Sequence, residues 1–233
     1  MDRLTRKELK TDKFALEVGQ IFDYLREHQR ESTRYGVIAA VVLLLAIGFF
    51  SYRRYQHNVR EQALNAALRI QDGQVGQPGN EFIPGFPTQA EKDKAVLKAF
   101  TDLAGKYPGS DEGIIARYYL GTLAANQGKT VEAEKAFQEV INSGNAACGS
   151  LAKLCLAELY AGQGKLAEAE KLVRSLIDKP TVLVSKEQAT IALARLLAPS
   201  QPAEARKLLE PLRTARSVIS RAALTALSEL PTK

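Results

Sequence analysis

The stretch Gln127-Gly128-Lys129-Thr130-Val131-Glu132-Ala133-Glu134-Lys135 returns as Gln163-Gly164-Lys165-Leu166-Ala167-Glu168-Ala169-Glu170-Lys171, an offset of 36 residues. Another 36 residues on, Glu204-Ala205 sits in Pro202-Ala203-Glu204-Ala205-Arg206-Lys207, so Ala133, Ala169 and Ala205 form an evenly spaced series. A fixed period of this length marks a stack of similar supersecondary units. Each unit reads as two antiparallel helices, with a small residue early in the second that lets the backbones approach closely. Gly128 and Gly164 fall where the first helix must end, a place that favours a left-handed backbone. Leu120, Leu123, Phe137, Val140 and Ile141 recur at helical spacing. Their counterparts one period later are Leu156, Tyr160, Val173 and Leu176. A single hairpin cannot bury such a face, so several must stack into a solenoid.

These residues resemble the tetratricopeptide repeat. Leu120-Gly121, Gly128, Ala133 and Phe137 follow its pattern, as do Leu156-Ala157, Tyr160, Gly164 and Ala169, with alanine for the second glycine. Arg117 and Lys153 stand where the pattern has an early aromatic, and the third unit (Ala192-Leu193, Leu196, Ala205) is degenerate. Lys106-Tyr107-Pro108-Gly109-Ser110 reads as the end of an earlier unit, with its first helix over 59–71 and its second over 88–107. Thr88-x-x-Glu91 and Ser185-x-x-Gln188 are capping boxes that predict two helix starts. A last helix over 216–230 caps the stack.

Working outward to the N-terminus, Tyr35–Tyr52 reads YGVIAAVVLLLAIGFFSY, eighteen residues without a charge. As a helix it spans roughly 27 Å, close to the thickness of a bilayer's hydrocarbon core. Tyr35 and Tyr52 end the run and Arg34, Arg53 and Arg54 bracket it, as interfacial residues do. The 34 residues before it carry eight basic and seven acidic side chains. That is too long and too acidic a leader for a signal peptide, and Phe49-Phe50-Ser51-Tyr52 offers no small-x-small cleavage site. The segment is therefore expected to remain as an anchor. The expected organisation is a tail at 1–34, a transmembrane helix at 35–52 and an all-α repeat domain at 53–233. Within the tail, Phe14, Val18, Ile21, Phe22 and Leu25 share one face of a helix. Such a helix either lies in the membrane interface or packs on a partner.

A charged tail, one uncleaved membrane helix and a small tetratricopeptide-like domain together resemble the bacterial inner-membrane ancillary subunit of the SecYEG translocon. The resemblance implies a cytoplasmic N-terminus and a periplasmic C-terminal domain. It also implies protein partners: translocon subunits, periplasmic chaperones and nascent envelope proteins. Basic residues counted over the whole tail agree with that orientation, whereas Arg53, Arg54, Arg60 and Arg69 on the far side oppose it. A scaffold in another cell-envelope assembly and, with reversed topology, a cytosol-facing receptor for targeting signals stay open as alternatives.

Little in the chain points to chemistry. The net charge of +6 is spread thinly, without the basic stripe of a nucleic-acid binder. His28 and His57 flank the apolar run and cannot share a metal site. Cys148 and Cys155, on one helix, would stand about 10 Å apart, beyond disulfide reach. With Cys148 in the loop after Asn145 that geometry would be open. Gly73-x-x-Gly76-x-x-Gly79 follows a helix and contains Pro78, unlike a nucleotide-binding turn. Glu132, Glu134, Glu168 and Glu170 recur with the repeat, as solvated helix faces do. No nucleophile–base constellation is present. The expectation is a protein without catalytic residues, cofactor, metal or small-molecule substrate.

Two binding features remain. In tetratricopeptide stacks the first helices line the concave face, and carrying the pattern over gives Ile115, Tyr118, Thr122 and Asn126, then Leu154 and Glu158, then Thr190 and Ala194. The repeats that grip C-terminal carboxylates need Lys, Asn and Arg there. Here the positions are apolar, small or neutral apart from Glu158, whose sign is wrong, so no carboxylate clamp is expected. Apolar contact with an extended or helical peptide and simple packing on the neighbouring helix are equally compatible with the residues. The second feature is the loop over 72–87, with three prolines and four glycines, where Phe82 and Phe86 are expected to dock on the solenoid or on a partner.

Overall fold

The apolar run belongs to a helix much longer than itself. In the computed structural model of the chain, α1 runs from Gln29 to Gln71. The structure describes residues 29–80, 83–214 and 217–231. The tail positions Phe14–Leu25 and the loop residue Phe82 lie outside the described residues. Along the run no side chain is buried within the protein. Leu44 and Leu45 are each 68% exposed. By length and composition α1 is able to cross a membrane. The chain divides into two units at Val59 and Arg60.

In the second unit, α1 changes character. Ala63, Leu64, Ala67 and Leu68 return at helical spacing and pack with Val96, Phe100 and Leu103 of α2 (Gln89–Lys106). Three further hairpins follow: α3 (Asp111–Asn126) with α4 (Thr130–Asn142), α5 (Ala146–Gly162) with α6 (Leu166–Asp178), and α7 (Lys186–Leu197) with α8 (Pro202–Leu209). A 3₁₀ turn (Glu210–Thr214) leads to α9 (Ser217–Ser228), which packs on α7 and α8 and closes the stack. From α2 to α8 each helix packs on the next, and α3 also meets α5 as α5 meets α7. The all-α solenoid expected from the period is the architecture observed.

Local chemistry sets the boundaries. Ser110 and Asn145 accept hydrogen bonds from the backbone N–H of Gly113 (3.1 Å) and Cys148 (2.9 Å). Ser185 and Gln188 form a complete capping box. Thr88 accepts from the Glu91 N–H at 3.2 Å. The two repeat turns are built alike. Gly128 (φ +71°) and Gly164 (φ +76°) take the left-handed conformation. The N–H groups of Lys129 and Lys165 then reach back to the carbonyls of Ala124 and Tyr160, both at 2.9 Å. These are Schellman closures, in which a Cβ would be strained. Replacing both glycines by alanine is expected to cost about 1–2 kcal/mol each, added because the turns do not touch. Urea melts of the two single variants and the double variant check both magnitude and additivity.

Ala133, Ala169 and Ala205 are all fully buried. Gly121 shows why small residues are needed: a Cβ there would stand 2.8 Å from Cε1 of Phe137. Arg117, in place of the early aromatic, reaches Glu139 of α4 at 3.2 Å. Tyr160 of α5 donates to Glu134 of α4 at 2.8 Å. Arg117 thus ties α3 to α4 within one hairpin, while Tyr160 joins that hairpin to the next.

The segment after α1 holds an arrangement that composition does not announce. β1 (Gln74–Val75) and β2 (Gly85–Phe86) pair in parallel, Gln74 opposite Gly85 and Val75 opposite Phe86. Lys92 of α2 adds a tie, donating to the Gly73 carbonyl at 2.7 Å.

Candidate functional site

The stack carries a groove of about 500 Å³ between α5, α6, α7 and α9. From α5 it takes Leu154, Ala157, Glu158 and Ala161, one face over two turns. From α7 it takes Gln188, Ile191, Ala192, Arg195 and Leu196, with Val173 of α6 and Ala222 of α9 completing the wall. Most of these side chains are apolar, and the alanines leave the space that longer residues would fill. Arg195 is held by Glu229 at 3.3 Å. Glu158 is exposed on α5.

Of the residues the repeat pattern placed on the concave face, the groove includes Leu154 and Glu158. Ile115 and Tyr118 are half-buried against the core between α3 and α5. The Tyr118 hydroxyl lies 3.5 Å from the Cys155 sulfur. Thr122 donates to the Tyr119 carbonyl at 2.8 Å, and Asn126 is exposed at the end of α3. None of these four lines the groove. Thr190 donates to the Lys186 carbonyl at 2.8 Å, within its own helix. Ala194 is fully buried, so it has no surface to offer a partner.

The two α7 positions, Thr190 and Ala194, do not line the groove. Carrying them over by 36 residues assumes that α7 presents the same face as α5 at that offset. The groove residues of α7, at 188, 191, 192 and 195, follow those of α5, at 154, 157, 158 and 161, by 34 residues. A slip of two residues turns a helix by roughly 200°. That rotation puts Ala194 into the core and Gln188, Ile191, Ala192 and Arg195 into the groove.

In the loop, Phe86 is half-buried, and its ring fills the place a Cβ on Gly73 would need. Asn80 and Pro84 face Gln62, Asn65 and Arg69 of α1 across a more polar cavity, also about 500 Å³.

Titratable groups in the stack serve packing. Glu112, at the start of α3, has only 5% of its side chain exposed and is bound by Arg60 of α1 at 3.0 Å. Burial pushes its carboxyl up. Its own backbone N–H, the Ser110 hydroxyl and the Arg60 guanidinium outweigh that, leaving it below the ordinary value of 4.5. A carboxyl lowered by folding stabilises the native state above its unfolded pKa and loses that contribution as pH falls through its folded one. Glu112→Gln is expected to cost about 2 kcal/mol at pH 7. The deficit should shrink on acidification below pH 4.5, which paired urea melts at pH 7 and pH 3.5 would measure.

Cys148 and Cys155 both lie on α5 and are free thiols. Burial pushes each thiol up, so neither is poised as a thiolate nucleophile. Among the described residues, no group of three or more His, Cys, Asp or Glu side chains is placed to hold a metal ion.

Comparison with known proteins agrees with this architecture. No curated protein and no solved structure matches the chain. A family profile described as a tetratricopeptide repeat-like domain matches residues 33–179, from the start of the apolar run to the end of the α5–α6 hairpin. Such domains are typically non-catalytic modules that bind other proteins. With hairpins stacked in series, left-handed glycines closing the repeat turns and a profile match over more than half its length, the chain belongs to the tetratricopeptide repeat-like domain family.

Proposed function

We propose that the protein is a membrane-anchored interaction module accessory to the SecYEG translocon. Its tail lies in the cytoplasm and its repeat domain in the periplasm, where it helps pass emerging envelope proteins to chaperones. The observation that carries this reading is α1: one helix able to cross a bilayer continues without a break into the first hairpin of a protein-binding stack. The groove on α5 and α7 supplies a place for contact.

One observation favours the opposite orientation. Arg53 and Arg54 are exposed and follow the apolar run at once. A chain turned that way would present its groove to the cytosol, as a receptor for targeting signals. Fusing alkaline phosphatase or a cytosol-only fluorescent protein after Lys233 separates the two in bacterial cells. Phosphatase activity without fluorescence is expected, and the reverse result would replace the first reading with the second. Given the expected topology, crosslinking in cells should recover translocon subunits. Recovery of a different envelope complex instead would move the module to that assembly.

A further inference from the structure

Resting on the reading of the domain as a protein-binding module, we infer that the α5–α7 groove takes an apolar protein segment carrying a basic side chain, with Glu158 as its counter-ion. The shape comes first. Ala157, Ala161 and Ala192 leave an apolar channel of about 500 Å³, within the range of roughly 300–1,000 Å³ typical of binding sites. That room suits the side chains of a short stretch of polypeptide.

Charge decides which stretch. Two charged residues line the groove, Glu158 and Arg195. Arg195 is engaged by Glu229 at 3.3 Å, so its charge is matched from within the chain. Glu158 makes no hydrogen bond or ion pair among the described residues, yet its field reaches the neighbouring side chains, helping to raise the Tyr118 phenol and the Cys155 thiol. The free groove therefore presents one uncompensated negative charge beside an apolar channel.

Any occupant that covers the groove strips water from that carboxylate. A neutral apolar segment would leave it dehydrated and unpaired, which is costly. An acidic segment or a C-terminal carboxylate would add repulsion to the same cost. A lysine or arginine next to an aliphatic side chain offsets the dehydration and fills the channel together. The long stem of such a side chain can lie on the apolar wall while its charged end meets Glu158.

The test uses the full chain in nanodiscs of zwitterionic lipid, with empty discs as a control for peptide partitioning. Three fluorescent twelve-residue peptides of equal leucine content carry lysine, glutamine or glutamate at one central position. Binding is read by fluorescence anisotropy. The lysine peptide is expected to bind about three- to fivefold tighter than the glutamine peptide, the gain from one partly screened ion pair, with the glutamate peptide weakest. Glu158→Gln, an exposed change that leaves the core alone, should erase the lysine preference, and Glu158→Lys should reverse it. Ala192→Leu should weaken all three peptides by filling the channel, and retention of the wild-type melting temperature shows that the variant is folded.

Equal affinity for the three peptides, or a lysine preference that survives Glu158→Gln, would overturn the proposal. So would the absence of binding to any of them. In that last case, crosslinks to protein partners that persist in cells would leave the interaction-module reading standing. Loss of both peptide binding and crosslinks would remove the two together.

Discussion

Truncating Phe137 to alanine is expected to lower the melting temperature of the full chain by about 10 °C, the result of losing 3–5 kcal/mol in a domain of this size. Phe137 is fully buried, and its ring lies close over Gly121 and 6.2 Å from the ring of Tyr118. Because α3 carries glycine where the ring rests, truncation leaves a void that the surrounding backbone can close only partly. Val131, one helical face away on α4, is 79% exposed and provides the control. Val131→Ala should stay within about 0.5 kcal/mol of wild type. Thermal melts of the two variants followed by circular dichroism make the comparison. A Phe137→Ala melt within 2 °C of wild type would contradict the packing described for α3 and α4.

Placing arginine at both Leu44 and Ile47 is expected to move the chain out of the carbonate-resistant membrane fraction. Both side chains are exposed near the middle of the apolar run, at 68% and 54%. Insertion of each arginine at that depth costs about 2.5–3.5 kcal/mol, and each replaced aliphatic residue forfeits a few tenths more. Together the changes amount to about 6–8 kcal/mol, enough to tip an eighteen-residue run from inserted to excluded. Arginine at Leu97, an exposed position of α2, is the matched control and should leave fractionation unchanged. Retention of the doubly substituted chain in washed membranes would argue that something other than this helix anchors it.

What was legible in the sequence follows from how each feature is encoded. Ala133, Ala169 and Ala205, and the paired Gly128 and Gly164, repeat because the same close approach and the same left-handed turn recur in each hairpin. A periodic cause leaves a periodic trace. The apolar run was equally plain, since eighteen residues without a charge meet a length requirement set by the bilayer. The groove was legible only in part. Leu154 and Glu158 lie on the helix that the period fixes, while the groove face of α7 follows that of α5 by 34 residues rather than 36, a slip that the repeat itself does not show. Arg60 and Glu112 are 52 residues apart, and nothing in either neighbourhood predicts the ion pair. The pairing of Gln74–Val75 with Gly85–Phe86 is too short to show the alternation by which strands are recognised.

The serial order of the hairpins has a mechanical consequence. From α2 to α8 each helix is packed on the next, and α9 closes the far end. A tensile load applied between the membrane helix and Lys233 would therefore meet the weakest neighbour contact first rather than all of them together. The end hairpin, α7–α8 with its cap, would peel away before α5–α6 and α3–α4. Each release of one 36-residue period would add about 120–130 Å of extended chain. Drawn out by optical tweezers, the domain would lengthen in discrete, nearly equal steps, retreating towards its anchor one repeat at a time.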